Sequence, residues 1–232
     1  MIQIYEGKAK KVYATENPNE VIIYYKDDAT AFNNIKKGTI ENKGILNHKI
    51  TTAIFSYLSA NGIPTHHIKT IDERTELCKK VDIILLEVIV RNTLAGSTAK
   101  LLGIEEGTKL ETPIFEICYK KDGLKDPLIN DYHAIALNIA TREDLDTIYS
   151  LTAKINTLLI EFFKKVGINL VDFKIEFGKD SEGNIILADE ISPDSCRLWD
   201  IATNKKLDKD RFRRDWGDVE QAYIEVLNRI LA

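Results

Sequence analysis

The sequence predicts an α+β protein of two lobes. Strand-like runs gather in its first half, and a helix–hairpin–helix unit occupies its second. Its 232 residues, 44% hydrophobic and 29% charged, are enough to bury a sizeable core in one large domain or two small lobes. Residues 1–84 are expected to form a small β-rich lobe with one helix, and residues 85–232 a larger α+β lobe.

The elements follow in order. "QIYEGKAKKVYAT" and "EVIIYYKDD" are β-rich runs separated by the turn signal "ENPN". "NKGILNHKITTAIFSYLSANG" places Leu46, Ile50, Ala53, Ile54, Tyr57 and Leu58 at helical spacing, with Gly62 as a stop and Pro64 beyond it. "VDIILLEVIVRN" reads as a buried Val/Ile-rich strand beside the expected cleft, leading into "TLAGSTAKLLG", where Ser97 could cap a short helix. A long helix is expected from about Arg142 to Val166, capped by Thr141. Its stripe is Leu145, Ile148, Thr152, Ile155, Leu159, Phe162 and Val166, and Gly167 ends it. "LVDFKIEFG" and "NIILADEIS" are strands around "KDSEGN", and a last helix runs from about Asp218 to Leu231.

Bulk properties narrow the function. The net charge of −4 and pI near 5.7 weigh against a nucleic-acid binder, yet allow a local basic pocket for a small anion. Cys78, Cys118 and Cys196 are scattered and odd in number, implying neither a disulfide framework nor a zinc motif. The start "MIQIYEGKAKKVY" lacks an apolar signal region, and the longest apolar run, "IILLEVIV", is broken by Glu87 and too short to span a bilayer. The reading is a reduced, soluble, cytoplasmic protein without membrane or nucleic-acid partners.

Four stretches carry chemistry. In "VDFKIEFG" alternation puts Asp172, Lys174 and Glu176 on one face and Val171, Phe173, Ile175 and Phe177 on the core face. A turn centred on Glu182-Gly183 would set Glu176 opposite Asp189 of "ADEISPDSCRLWD", about 5 Å apart. Two carboxylates that close repel by about 3 kcal/mol at an effective dielectric near 20. Oxygen-only ligands suit Mg²⁺, and ion pairs with Lys174 and Arg197 are the structural alternative. "YEGKAKKVY" could bring Gly7 and its lysines to a phosphate or be an exposed turn, and it is neither GxxxxGK[ST] nor GxGxxG. Arg91, with Gly96 and Ser97 at a helix start, could bind phosphate or be a plain cap. "KKDGLKDPLIND" reads as a polar loop over a site or mere surface. His66-His67 has no ligand-spaced carboxylate or Cys nearby and is read as structural or exposed. Ser195 and Cys196 show no nucleophile motif.

Together and in this order, "YEGKAKKVY", "DDATAFN", "NKGILNHKIT", "EVIVRNTLAGS", "KDPLIND", "VDFKIEFG", "LADEISPDSCRLWD" and "DKDRFRRD" resemble the SAICAR synthetase family (phosphoribosylaminoimidazole-succinocarboxamide synthases) in its compact bacterial form, from Tyr5 to Asp215. The resemblance implies a two-lobed fold of antiparallel sheets with flanking helices, similar to ATP-grasp enzymes. It implies an ATP-dependent ligase joining carboxyaminoimidazole ribonucleotide (CAIR) to L-aspartate, with ATP and Mg²⁺ as cofactors and a homodimeric state. By that similarity Gly7, Lys8, Ala9 and Lys10 fall at the ATP phosphates and Glu87 and Val88 beside the adenine. Glu176 and Asp189 match the Mg²⁺ carboxylates, and Arg91, Ser97 and Arg197 the ribonucleotide's phosphate. Asp126 and Lys174 fall near the ribose and the reacting carboxylate; Asp172, Asp194 and Lys120 or Lys121 are further transfers. A small-molecule kinase and a nucleotide-sensing module are the rival readings.

Overall fold

The computed structural model describes residues 2–31 and 36–232; Phe32 and Asn33 of the "DDATAFN" motif lie outside the described residues. The chain opens with β1 (Gln3–Glu6), β2 (Lys10–Ala14), β3 (Glu20–Tyr25), β4 (Asp28–Ala31) and β5 (Lys36–Thr39). Helix α1 (Lys43–Ala60), β6 (His67–Asp72) and β7 (Thr75–Lys79) follow. Five of these strands make an antiparallel sheet in the order β1-β2-β3-β7-β6, while β4 and β5 pair with each other. The chain continues through β8 (Asp82–Ile83), β9 (Leu86–Thr93), α2 (Gly96–Leu102), β10 (Lys109–Tyr119), β11 (Leu128–Ile129), α3 (Asp131–Ala136) and α4 (Arg142–Lys165). It ends with β12 (Ile168–Lys179), β13 (Ile185–Ala188), β14 (Cys196–Asp200), α5 (Asp210–Arg213) and α6 (Val219–Leu231). The second sheet runs β11-β10-β9-β12-β13, with β14 and β8 also on β12.

The twelve-residue β12 organises this sheet. Its first half lies between β9 and β14, and its second between β8 and β13. Helix α1 lays Leu46, Ile50, Ile54 and Leu58 into the same buried cluster as Val88, Phe173, Phe177 and Leu187 of this sheet, and Tyr223 and Val226 of α6. Each such side chain contributes about 1.5–3 kcal/mol of burial. Thr141 caps α4 through a reciprocal box with Asp144. Phe163, four residues after Leu159, completes the buried face in place of Phe162, which packs at its edge against Tyr57.

Three local expectations need correction. Ser97 does not cap α2; Ala95 stands at the cap in extended backbone without a side-chain hydrogen bond. Val171 leaves the main core for a small cluster with Ala95 and Trp199, because the β12–β14 ladder shifts register between Leu170 and Asp172. The β12–β13 hairpin places Glu176 opposite Ala188, not Asp189. The Asp180 carboxylate accepts hydrogen bonds from the Glu182 and Asn184 backbone N–H groups, so the turn centres on Glu182. A one-residue slip would send Asp189 to the other face. It escapes because β13 ends at Ala188 and Asp189 adopts a left-handed backbone (φ 62°), which swings its carboxylate back toward Glu176.

Candidate active site

A cavity of about 920 Å³ is bordered by the β1–β2 turn, β9, β12 and the Asp189–Arg197 segment. Every residue assigned through the family resemblance lines it except Val88, and of the pair Lys120 and Lys121 it is Lys120 that does so. Along β9, Glu87, Ile89 and Arg91 face the cavity, whereas Val88 is fully buried in the core and cannot offer its side chain there.

One end of the cavity is a lattice of carboxylates and ammonium groups. Lys174 Nζ lies 2.5 Å from Glu176 Oε1 and 2.9 Å from Asp189 Oδ2, with Glu87 at 3.8 Å. Lys10 Nζ binds Asp189 Oδ1 at 2.6 Å and Glu190 at 3.2 Å, and lies 5.0 Å over the Tyr25 ring. Lys120 binds the second oxygen of Glu176. Burial pulls the Lys174 ammonium down, but Asp189 and Glu176 outweigh it and hold it well above the usual lysine range. Burial likewise raises the Asp189 carboxyl, yet Lys10 and Lys174 keep it far below the ordinary range. The ion-pair arrangement is present with Lys174, whereas the expected Arg197 turns instead to Asp172 and Asp210; Lys10 of β2 and Lys120, just past the end of β10, are added.

The other end is built on arginine. Asp172 is buried and accepts Arg91 Nη1 at 3.2 Å and Arg197 Nη1 at 2.7 Å. Arg91 also forks onto Glu116 Oε2, and Arg197 Nε binds Asp210 at 2.9 Å. Burial raises the Asp172 carboxyl against the opposing pull of the two guanidiniums. Gly96 (φ 61°) lies so close to Arg197 that a Cβ would collide with its guanidinium. Two fixed guanidiniums beside exposed Ser97 suit an anion with several oxygens.

Asp194 also lines the cavity, held by Lys43 (2.8 Å), the Tyr223 hydroxyl (2.6 Å) and Lys209 (3.6 Å). Burial raises its carboxyl, but Lys209 and Lys43 overcome that and keep it ionised. Asp126 turns the loop before β11 with φ 47°, its Oδ1 accepting the Lys121 N–H.

The sequence matches the SAICAR synthetase family over residues 3–230. This chain belongs to the SAICAR synthetase family. It is 63% identical over 227 residues to the phosphoribosylaminoimidazole-succinocarboxamide synthase of Clostridium botulinum (strain Alaska E43 / Type E3), covering 98% of this chain and 97% of that one. The Ehrlichia chaffeensis synthase structure superposes with a TM-score of 0.97 at 48% identity, covering 99% of this chain and 98% of that chain. A SAICAR synthetase solved in complex with ADP gives 0.95 at 47% identity, covering 97% and 96%. Members of the SAICAR synthetase family are ligases, and the α+β fold of antiparallel sheets with flanking helices is theirs.

Sequence reasoning missed several groups in this SAICAR synthetase family member's cleft. Lys209 and Arg213 line it, although "DKDRFRRD" entered only as part of the family resemblance, with no role for either residue. Lys43 is buried at the start of α1, where alternation offered no hint of a charge partner 151 residues away. Glu190 faces Lys10, whereas Asp200 pairs with Arg229 and holds the following turn through Thr203, away from the cavity. Glu176 and Asp189 form a hard, all-oxygen donor set, and each carboxylate has lone pairs beyond those its lysines occupy, so the pair fits Mg²⁺. Among the described residues, no helix is long and apolar enough to cross a membrane.

Proposed function

We propose that the chain joins the carboxylate of CAIR to the amine of L-aspartate in purine biosynthesis, cleaving ATP to ADP and phosphate. The observation that carries this reading is the placement of two unlike anion-handling ends along β12: arginines around Asp172, lysines and carboxylates around Glu176. Family membership supports the condensation, and the ADP complex of a related SAICAR synthetase supports nucleotide use.

A carboxylate acylates poorly because oxide would have to leave. In the proposed path a CAIR carboxylate oxygen attacks the γ-phosphorus of ATP and ADP departs. The aspartate amine then attacks the acyl phosphate carbon, loses a proton, and expels inorganic phosphate. Arg91, Arg197 and Ser97 hold the ribonucleotide phosphate, Asp126 its ribose, and Asp172 fixes the two guanidiniums. Lys8 and Lys10, with Gly7 and Ala9 giving close backbone approach, meet the nucleotide phosphates, while Glu87 borders the adenine. Lys174 turns from Glu176 and Asp189 toward the reacting carboxylate, and Asp194 orients Lys43 and Lys209. Positioning and charge neutralisation do most of the work, and no enzyme nucleophile is required. Mg²⁺ held by Glu176 and Asp189 would neutralise charge on the transferring phosphate.

ADP release is measured with ATP, Mg²⁺, CAIR and aspartate, omitting each in turn. Release that ignores aspartate defeats the ligase reading in favour of a kinase, and no turnover in any mixture favours a binding module. Positional isotope exchange in ATP with CAIR but without aspartate supports the acyl phosphate; exchange only with all three substrates supports a concerted path. A cytoplasmic homodimer belongs to the same proposal. Light scattering tests the dimer.

A further inference from the structure

Beneath the lysine end of the cleft, the β6–β7 pairing brings His66 beside Glu76 and Cys78, two residues of β7 that the sequence sets well apart from it. A ring nitrogen of His66, a carboxylate oxygen of Glu76 and Cys78 Sγ all lie within 4.8 Å of one another, and all three residues are buried. The absence of a ligand-spaced partner for His66-His67 in the sequence is undone by this ladder, which sets His67 opposite Cys78. We propose that His66, Glu76 and Cys78 form a binding site for a borderline-soft divalent cation such as Zn²⁺, separate from the hard oxygen pair Glu176 and Asp189.

Five observations support it. His66 is only 3% exposed, yet its Nε2 is buried without a hydrogen-bond partner, a costly state for a polar atom. Its backbone is pinned on both sides, the N–H to Leu187 O (2.8 Å) and the carbonyl by the Lys79 N–H (2.7 Å), so the ring cannot retreat to water. The donor set is thiolate, imidazole and carboxylate, the mixture that selects zinc over magnesium. Bonds of 2.0–2.3 Å at tetrahedral angles put ligand atoms about 3.3–3.8 Å apart, so the three need close by no more than about 1.5 Å. Glu76 is further oriented by the Tyr25 hydroxyl (2.9 Å) and His67 Nδ1 (2.5 Å), the outer hydrogen bonds that metal-binding carboxylates use.

The charges also close. Burial pushes the His66 imidazole down to about 4, so near neutral pH the ring is neutral and has a lone pair to give. The Cys78 thiol is held protonated by burial and by Glu76; the cation displaces that proton to solvent. A dication with one thiolate, one carboxylate and one imidazole is neutral overall, which suits a buried position. His66 also lines the cavity, which gives the ion an entry path and a water for the fourth position.

Chelator-treated full-length protein is titrated with Co²⁺ as a zinc surrogate. The expected result is a near-ultraviolet thiolate-to-cobalt charge-transfer band that saturates at one equivalent, is bleached by Zn²⁺ and ignores excess Mg²⁺. The band disappears in Cys78→Ser, persists in Cys118→Ser, and in His66→Gln requires at least about 10-fold more Co²⁺. X-ray absorption at the zinc edge of the wild-type protein should show one sulfur among nitrogen and oxygen neighbours, a readout that does not depend on any variant folding. No band, a band that survives Cys78→Ser, or a sulfur-free zinc shell overturns the proposal.

Discussion

Lys174 is the cation on which the carboxylate end of the cleft depends, and Lys174→Met removes its charge while keeping most of its volume. Its ammonium serves Glu176 at 2.5 Å and Asp189 at 2.9 Å, with Glu87 at 3.8 Å. A unit-charge pair at 4 Å is worth about 4 kcal/mol at an effective dielectric near 20. Removing one partner of a buried pair costs about 3–5 kcal/mol. Glu176 keeps Lys120, Asp189 keeps Lys10, and the Lys174 side chain is 25% exposed, so the loss falls at the lower end, about 3 kcal/mol. For a chain of this length that is a fall in Tm of about 6–12 °C, read by differential scanning fluorimetry. If Glu176 and Asp189 bind a cation, millimolar Mg²⁺ replaces part of the lost charge, and the variant regains more Tm than the wild type gains. Equal gains in both proteins, or no gain in the variant, would refute the assignment of these two carboxylates to the metal.

Glu176→Gln should fold with unchanged far-ultraviolet circular dichroism and lose turnover by roughly 10²-fold or more; an unchanged rate at saturating ATP removes Glu176 from the metal role. Gly96→Ala combines a collision with Arg197 and a left-handed backbone (φ 61°). It should raise the KM for the ribonucleotide about 10-fold, equivalent to roughly 1.4 kcal/mol, without moving that for ATP; parallel changes in both would mean a general loss of structure. Asp208 is fully buried, and its carboxyl is pushed up to about 7 by burial and by Asp210. Folding therefore favours its protonated form. That contribution is complete below about pH 4 and is lost as pH rises toward 7, by roughly 1.4 kcal/mol per pH unit across that window. Denaturation midpoints from pH 4 to 7 should consequently fall less in Asp208→Asn than in the wild type, and parallel curves would count against the assignment.

Periodic features were the legible part of this chain. The helical stripe of α4, its Thr141 cap and the Val/Ile run of β9 all announce themselves locally, because period and capping chemistry lie within a few residues. Strand β10 does not: its apolar residues are interrupted by charges and Pro113, and its pairing with β9 shifts register between Lys109 and Ile114. The candidate site was legible as a set of residues through resemblance, but not as an arrangement. Alternation correctly grouped Asp172, Lys174 and Glu176, yet the lysine lattice depends on Lys10 arriving from β2 and Lys120 from just past the end of β10. Asp189 reaches it through a left-handed backbone that the hairpin count did not foresee. His66 shows the same limit, since only the registered β6–β7 ladder brings it to the Glu76 and Cys78 of β7.

Strand β12 has a consequence of its own. Asp172 belongs to the arginine end and Glu176 to the lysine end, and four residues of extended backbone separate them. At about 3.3 Å per residue that is roughly 13 Å, fixed by covalent geometry and by ladders on both sides. Side chains can swing, but this interval cannot stretch. The strand therefore acts as a gauge block. A ligand that grips the arginines reaches the lysines only if its own length matches, so an analogue shortened at the phosphate end should lose correct placement of its far end along with its phosphate contacts.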